Sequence, residues 1–245
     1  MAIIMAMASD LVTPVLLVAM PQVLDPFFHK SVVLLIHHQD EGSFGFIVNR
    51  PTGIKVAEIL HGLEVRWRGR EDALAYFGGP VQPQLGTVLF EGTAGSSAAG
   101  SPFSPGAAAQ ASTSSDPEAG TAADADTEAE ADPDADPPSS SSQGESTTQL
   151  VGGIALTQHV GDLSRLAERP PERFRLYLGY AGWGSGQLIA EILRNDWLTA
   201  PVASDLIFAP DPDLVWDAAL ASVGVDPSSL PSWTAGAGNG EESAN

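Results

Sequence analysis

Gly179-Tyr-Ala-Gly-Trp-Gly-Ser-Gly-Gln187 follows the strand-like Arg173-Phe-Arg-Leu-Tyr-Leu178 and opens the amphipathic run Leu188 to Asn195, which closes on Trp197-Leu198. The order is strand, glycine-rich turn, helix. Gly179, Gly182, Gly184 and Gly186 let the backbone take positive φ and approach another group closely. A helix that emerges from such a loop offers free N–H groups and a positive dipole end. Phosphate loops use this physics, but the segment lacks their Lys-Ser/Thr and the spacing of a dinucleotide fingerprint. The competing reading is a tight strand-to-helix connection with Tyr180 and Trp183 packed into the core.

Outward from this stretch the pattern is α+β. Val15 to Ala19 reads as a first buried strand, and Val32 to His37 and Phe44 to Asn49 as two more around a Gln39–Gly42 hairpin turn. Ile54 to Leu63 has apolar residues at helical spacing. Ala73 to Phe77 and Thr87 to Phe90 read as strands flanking Gly78-Gly-Pro80. Gly153 to Leu156 and Ser204 to Phe208 read as further strands, with a helix near Gly161 to Glu168. Asp211-Pro212 sets an N-cap with proline at N1 for a helix through Val223, and Gly224 supplies its C′ glycine. Period-2 and period-3.6 segments interleave without long βαβ alternation, which points to a mixed, largely antiparallel sheet with peripheral helices.

Between these segments the composition changes abruptly. Residues 92–148 are Ala, Ser, Gly, Pro, Asp and Thr in the main, with Phe103 the only aromatic residue. Such a stretch buries too little apolar surface to offset an ordering cost of ~1–2 kcal/mol per residue. It is expected to be a disordered acidic insert in a single domain spanning 11–230, with a second disordered tail at 234–245. Loop closure grows only logarithmically with length, so the insertion is tolerable.

Charge narrows the function classes. The chain of 245 residues carries a formal net charge of -20, and Asp116 to Glu145 holds 10 of its 31 acidic residues. The remainder is still acidic, 21 acids against 11 bases. Duplex DNA binds through Lys and Arg that neutralise phosphates, and the best cluster here is Arg66, Arg68 and Arg70. Direct DNA binding is therefore not expected. Cysteine is absent, which removes disulfides, thiol chemistry and cysteine metal sites, and fits the cytoplasm. No Lys or Arg precedes Lys30, so a signal peptide lacks its positive n-region. Leu11 to Met20 is too short for a spanning helix, which needs ~20 apolar residues; no membrane association is expected.

The polar candidates are few. His29, His37, His38, His61 and His159 show no metal-ligand spacing, and His37-His38 at a strand end point to opposite faces. No metal and no cofactor is expected. Arg50, in Asn49-Arg50-Pro51, offers a planar fork suited to a carboxylate or phosphate, or to a salt bridge with an acidic neighbour. Gln187 and Glu191, four apart, share a helix face. Ser185 has glycines directly beside it rather than two residues away, so it lacks the nucleophile-elbow context, and no catalytic residue is assigned.

Several of these segments together resemble the AlgH/YqgE family. Met20-Pro21, Asp25-Pro26-Phe27-Phe28, Ser31-Val-Val-Leu-Leu-Ile36, Gly45-Phe-Ile-Val-Asn-Arg-Pro51, Gly78-Gly-Pro-Val81, Gly179-Tyr-Ala-Gly-Trp183, Gly186-Gln-Leu188, Trp197-Leu-Thr-Ala-Pro201 and Trp216 occur in the order of that family. Phe44 before Gly45 and Ile189 after Leu188 depart from its pattern. The resemblance implies a bifurcated sheet folded into a pseudo-barrel. It also implies a bacterial family labelled as transcriptional regulators, without an established catalytic activity. The expectation is a cytosolic, non-enzymatic regulatory or binding module acting through a glycine-rich cleft. Its candidate residues are Asn49, Arg50, Gly78, Gly79, Pro80, Gly179, Tyr180, Gly182, Trp183, Gln187 and Glu191, and its partner a protein or a small anionic ligand. The alternative is an enzyme acting on a small anionic substrate. A DNA-binding regulator follows only from the family label.

Overall fold

The computed structural model describes residues 11–92 and 147–231. Its strands are β1 (Val15–Ala19), β2 (Val32–Gln39), β3 (Gly42–Ile47), β4 (Pro51–Lys55), β5 (Leu74–Phe77), β6 (Val81–Glu91), β7 (Thr148–Gln149), β8 (Ile154–Thr157), β9 (Phe174–Gly184) and β10 (Trp197–Ala200). The α-helices are α1 (Val56–Gly62), α2 (Val160–Glu168), α3 (Gln187–Leu193), α4 (Ser204–Ile207) and α5 (Val215–Ser222). All the described residues fall in one compact unit.

One strand organises the rest. The main sheet runs β10-β1-β2-β3-β9-β6-β8-β7, and every neighbouring pair in it is antiparallel. β9 pairs with β6 along one edge, Phe174 opposite Phe90 through Tyr180 opposite Val81. Its other edge is shared. The first half pairs in parallel with β5, Tyr177 opposite Tyr76, and the second half pairs antiparallel with β3, Ala181 opposite Gly45. The sheet splits where β5 and β3 part, at Gly78 and Gly179. This is the bifurcated, mostly antiparallel sheet curled into a half-barrel that the resemblance implied.

Two apolar clusters follow from the alternation along β9. Leu176, with the partly buried Phe174 and Leu178, joins Val56, Leu60, Ala75, Val88 and Ala167, which seats α1 and α2. Beyond the split, Ala181 and Trp183 join Leu17, Ala19, Val33, Leu35, Ile47, Leu188 and Trp197, which seats α3. Helix α5 packs on β1, β2 and β10, and its Trp216 indole N–H donates to the Ala19 carbonyl at 2.7 Å.

Four sequence expectations are corrected. The stretch Gly179 to Gly184 is not a turn but the second half of β9; only Ser185 and Gly186 turn the chain, with Gly186 at φ +69°. The run expected as a helix from Ile54 starts as strand β4. Gly53 at φ +80° is outside helical geometry, and Thr52 Oγ1 and the Val56 N–H bond the Ala75 and Ala73 carbonyls. Ser204 to Phe208 forms the short helix α4 rather than a strand: Ser204 and Asp205 both hold Arg173, and the Phe208 N–H closes on the Ser204 carbonyl at 2.9 Å. A short apolar run cannot be assigned from periodicity alone. The helix expected from Pro212 begins with a 3-10 turn, Pro212–Leu214, although Asp211 does cap it through the Asp213 N–H.

The expected insert and tail lie outside the described residues, apart from Gly92, Thr147 and Thr148. Thr148 already belongs to the sheet, opposite Leu156, while the Gly92 N–H donates to the Gly153 carbonyl at 2.9 Å. Both ends of the segment thus leave from strands that flank β8.

Candidate functional site

The separate sequence motifs meet at the split in the sheet. The turn after Asp25-Pro26 comes first. Asp25 Oδ1 accepts the N–H groups of Phe27 at 2.8 Å and Phe28 at 3.2 Å, and its carbonyl accepts from His29 at 2.8 Å. Aspartate favours this local bonding. The turn sends the two phenylalanines apart. Phe28 packs against Trp183 and edge-on to Trp197, with centroids at 6.2 and 5.7 Å. Phe27 remains 46% exposed and stacks on Phe77 at 5.5 Å.

Asn49 and Arg50 fasten this turn. The buried Asn49 side chain accepts from the Val32 N–H at 2.9 Å and donates to the Lys30 carbonyl at 3.0 Å. The Arg50 guanidinium donates through Nη2 to the His29 carbonyl. The fork thus meets a backbone dipole rather than the acidic neighbour that the sequence offered. The Arg50 carbonyl accepts from the Phe77 N–H at 2.7 Å, which places it beside the next motif.

Gly78-Gly79 and Gly179-Tyr180 cross here, backbone on backbone. A Cβ on Gly78 would stand 2.2 Å from the Gly179 oxygen, and one on Gly79 2.2 Å from the Tyr180 carbonyl carbon. Gly179 adds a left-handed φ of +69°, and its Cβ would meet the Gly79 oxygen at 2.4 Å. The Gly78 N–H donates to Leu178 and its carbonyl accepts from Ile47, both at 2.8 Å, so β3 and β5 are tied at the fork. Pro80 is exposed beyond the crossing. Past it, the Tyr180 ring lies over Gly182 and edge-on to Phe44, and burial pushes its phenol pKa up. The two glycine motifs are neighbours, and the space between them is filled by main chain.

Trp183, Gln187 and Glu191 form a network that closes the corner. Glu191 Oε2 accepts both indole N–H groups, Trp183 and Trp197, each at 2.8 Å. Gln187 Nε2 donates to Glu191 Oε1 at 2.9 Å, and Gln187 Oε1 accepts the Gly184 N–H at 3.1 Å. One carboxylate on α3 thereby holds β9 and β10. Trp183 and Trp197 are buried, so their N–H groups need such an acceptor.

The eleven candidate residues thus form one contiguous region. The histidines do not gather: His37 stacks on Phe44, His38 Nδ1 bonds Ser43 Oγ at 2.7 Å, and His29 reaches the Val23 carbonyl. Burial, with His37 beside it, lowers the His38 pKa. Among the described residues no three His, Asp or Glu side chains group as metal ligands. Sequence reasoning missed a second polar site altogether. Arg173 and Arg175 on β9, with Tyr76 and Arg70, line a cleft of about 340 Å³. The signal was available: Arg175 interrupts the apolar β9 run on the face that also carries Tyr177.

The fold and this motif corner define a class, a split half-barrel whose fork is built from glycines and tryptophans. The family model described as AlgH-like (DUF179) matches residues 16–228, and the chain belongs to that family. A UPF0301 protein of Methylococcus capsulatus is 34% identical over 219 residues, 88% of this chain and 91% of the relative. One of Myxococcus xanthus is 30% identical over 218 residues, 89% of this chain and 93% of the relative. The solution structure of the AlgH protein from Pseudomonas aeruginosa shares 29% identity with a TM-score of 0.57, covering 87% of this chain and 89% of that one. Among the described residues no helix is long and apolar enough to cross a membrane.

Proposed function

We propose that this protein is a non-enzymatic regulatory or binding module of the cytoplasm, and that a partner protein docks on the corner formed by Asp25–Phe28, Asn49–Arg50, Gly78–Pro80 and Gly179–Gln187. The observation that carries the reading is Phe27. It is held 46% exposed, on a turn locked by Asp25, while Phe28 next to it is anchored between two tryptophans. A large apolar ring fixed at the surface by its neighbours is preorganised for an interface, where aromatic anchors carry much of the affinity. Leu24 on the same segment is 55% exposed and extends the apolar surface.

The rival, an enzyme for a small anionic substrate at this corner, needs a polar group free to meet it. Glu191 is spent on two indoles and an amide, which leaves no free carboxylate at the corner, while Arg50 gives one of its donors to the His29 carbonyl. The test is a photo-crosslinking amino acid placed at position 27, with position 63 as control, since Leu63 is also exposed (51%) but caps α1, whose Val56 and Leu60 belong to the other core cluster. The reading expects one protein adduct that forms from position 27 and is absent from position 63. Equal labelling from both positions, or turnover of a small anion abolished by Glu191→Gln in folded protein, removes it.

A further inference from the structure

A cleft lies at the start of β9, at the opposite end of the strand from Trp183. Arg70, Arg173, Arg175, Tyr76, Phe208 and Pro210 line the cleft of about 340 Å³, a size within the range of small-molecule pockets. Its three arginines are not equivalent. Arg70, at the surface with its side chain 82% exposed, is paired with Asp72 at 2.7 Å. Arg173 is paired with Asp205 at 2.6 Å and Glu91 at 3.5 Å. Arg175 is buried, 6% exposed, and none of the ion pairs among the described residues involves it.

The groups that hold the Arg175 guanidinium are neutral. Nη1 donates to the Val48 carbonyl at 2.7 Å, Nη2 donates to the Ala209 carbonyl, and the guanidinium lies over the Tyr76 ring at 4.0 Å. Carbonyl dipoles and a π-face orient the cation without cancelling its charge. A guanidinium has five N–H donors, so the two carbonyls leave donors over. A buried cation without a counter-charge is costly, and an anion arriving in low dielectric recovers much of that cost. The remaining lining includes Asp72 and Glu172, but Asp72 already serves Arg70. The lining also includes the apolar Pro51, Phe208 and Pro210.

We propose that this cleft binds a small organic anion, whose carboxylate or phosphate meets the Arg175 guanidinium and whose apolar body lies against Phe208 and Pro210. The site borders the docking corner through Val48 and Pro51 but shares none of its named residues, and neither proposal needs the other.

The experiment is a titration of the full-length protein with phenyl phosphate and with benzoate, followed by arginine side-chain NMR and by thermal shift. Inorganic phosphate serves as the probe of charge alone. The proposal expects a saturable shift of the Arg175 side-chain resonance with at least one organic probe, and weaker binding of inorganic phosphate. The better of the two organic probes names the recognised group. Arg175→Met should weaken binding by about tenfold or more, the usual worth of a charge-assisted hydrogen bond. Because Arg175 also ties Val48 to Ala209, Arg70→Ala at the exposed mouth provides a variant without risk to the fold. It should weaken binding by no more than about fivefold, as exposed charges do. The proposal is overturned if neither organic probe gives saturable shifts, if they saturate without moving the Arg175 resonance, or if folded Arg175→Met binds as wild type does.

Discussion

Replacing Gly78 by alanine should separate backbone packing from ligand binding as the reason for the glycine motifs. The new Cβ would stand 2.2 Å from the Gly179 oxygen and 3.1 Å from its carbonyl carbon. Relief requires β5 and β9 to part by about 1 Å, and overpacking of this kind costs about 1–3 kcal/mol. The same movement stretches the Gly78 N–H bond to Leu178 and the Ile47 N–H bond to Gly78, each worth about 1 kcal/mol. The expected loss is about 3–5 kcal/mol, a large share of the ~5–15 kcal/mol that a domain has. Gly224→Ala is the control: its φ is +79° with nothing within 4 Å, so it reports the left-handed penalty alone, about 1 kcal/mol. Gly179→Ala combines both effects and should be the worst of the three. Urea unfolding followed by tryptophan fluorescence measures the series, with unchanged slopes confirming that only stability moved. If Gly78→Ala costs no more than Gly224→Ala, the crossing is not a tight backbone contact and the argument from it fails.

Tyr177→Phe should be neutral or stabilising by about 1 kcal/mol, because the buried hydroxyl has no hydrogen-bond partner of good geometry. Burial pushes the Tyr177 phenol up to about 12, against the opposing charge of Arg175. Above pH ~10 the unfolded chain therefore releases a proton that the folded chain keeps, and stability falls with rising pH by up to about 2–3 kcal/mol. Denaturation curves taken from pH 8 upward (~8–11) should show that decline in wild type and a flatter profile in Tyr177→Phe. Glu191→Ala strands two buried indole N–H groups and should cost about 2–4 kcal/mol, with Glu191→Gln costing less since one oxygen still accepts; equal stability of both to wild type would show that the network is incidental. Excising Ala94 to Ser146, with a short Gly-Ser bridge, should leave stability within about 1 kcal/mol of wild type, since each halving of loop length is worth roughly 0.6 kcal/mol. Unfolding on excision would mean that the segment contributes to the core.

The short apolar runs Val32 to His37 and Phe44 to Asn49, with the turn between them, marked β2 and β3, and Asp211-Pro212 with Gly224 marked the last helix. These signals are local and the structure obeys them. Gly179 to Gly184 misled because glycine in a strand is ordinarily a breaker. Here it permits another backbone to approach, and that need is set by Gly78-Gly79, a hundred residues away in sequence. The motif corner was legible as a set of residues and not as chemistry: nothing local told that Arg50 would meet the His29 carbonyl. Arg175 lay in plain view within an apolar strand, but its lack of a carboxylate depends on β5 and on the chain after α4. Periodicity cannot report that kind of information.

The size of the native assembly formed in gently lysed cells tests the docking surface most directly. Wild type and Phe27→Ala, each at its natural expression level, are compared by gel filtration, with the purified 25.4 kDa chain as reference. Phe27 is half exposed, so its truncation should leave the fold intact by circular dichroism. The account predicts that wild type elutes in a larger complex than the purified chain, and that Phe27→Ala returns to the size of the purified chain. Coelution of wild type and a folded Phe27→Ala protein in the same fractions would contradict it.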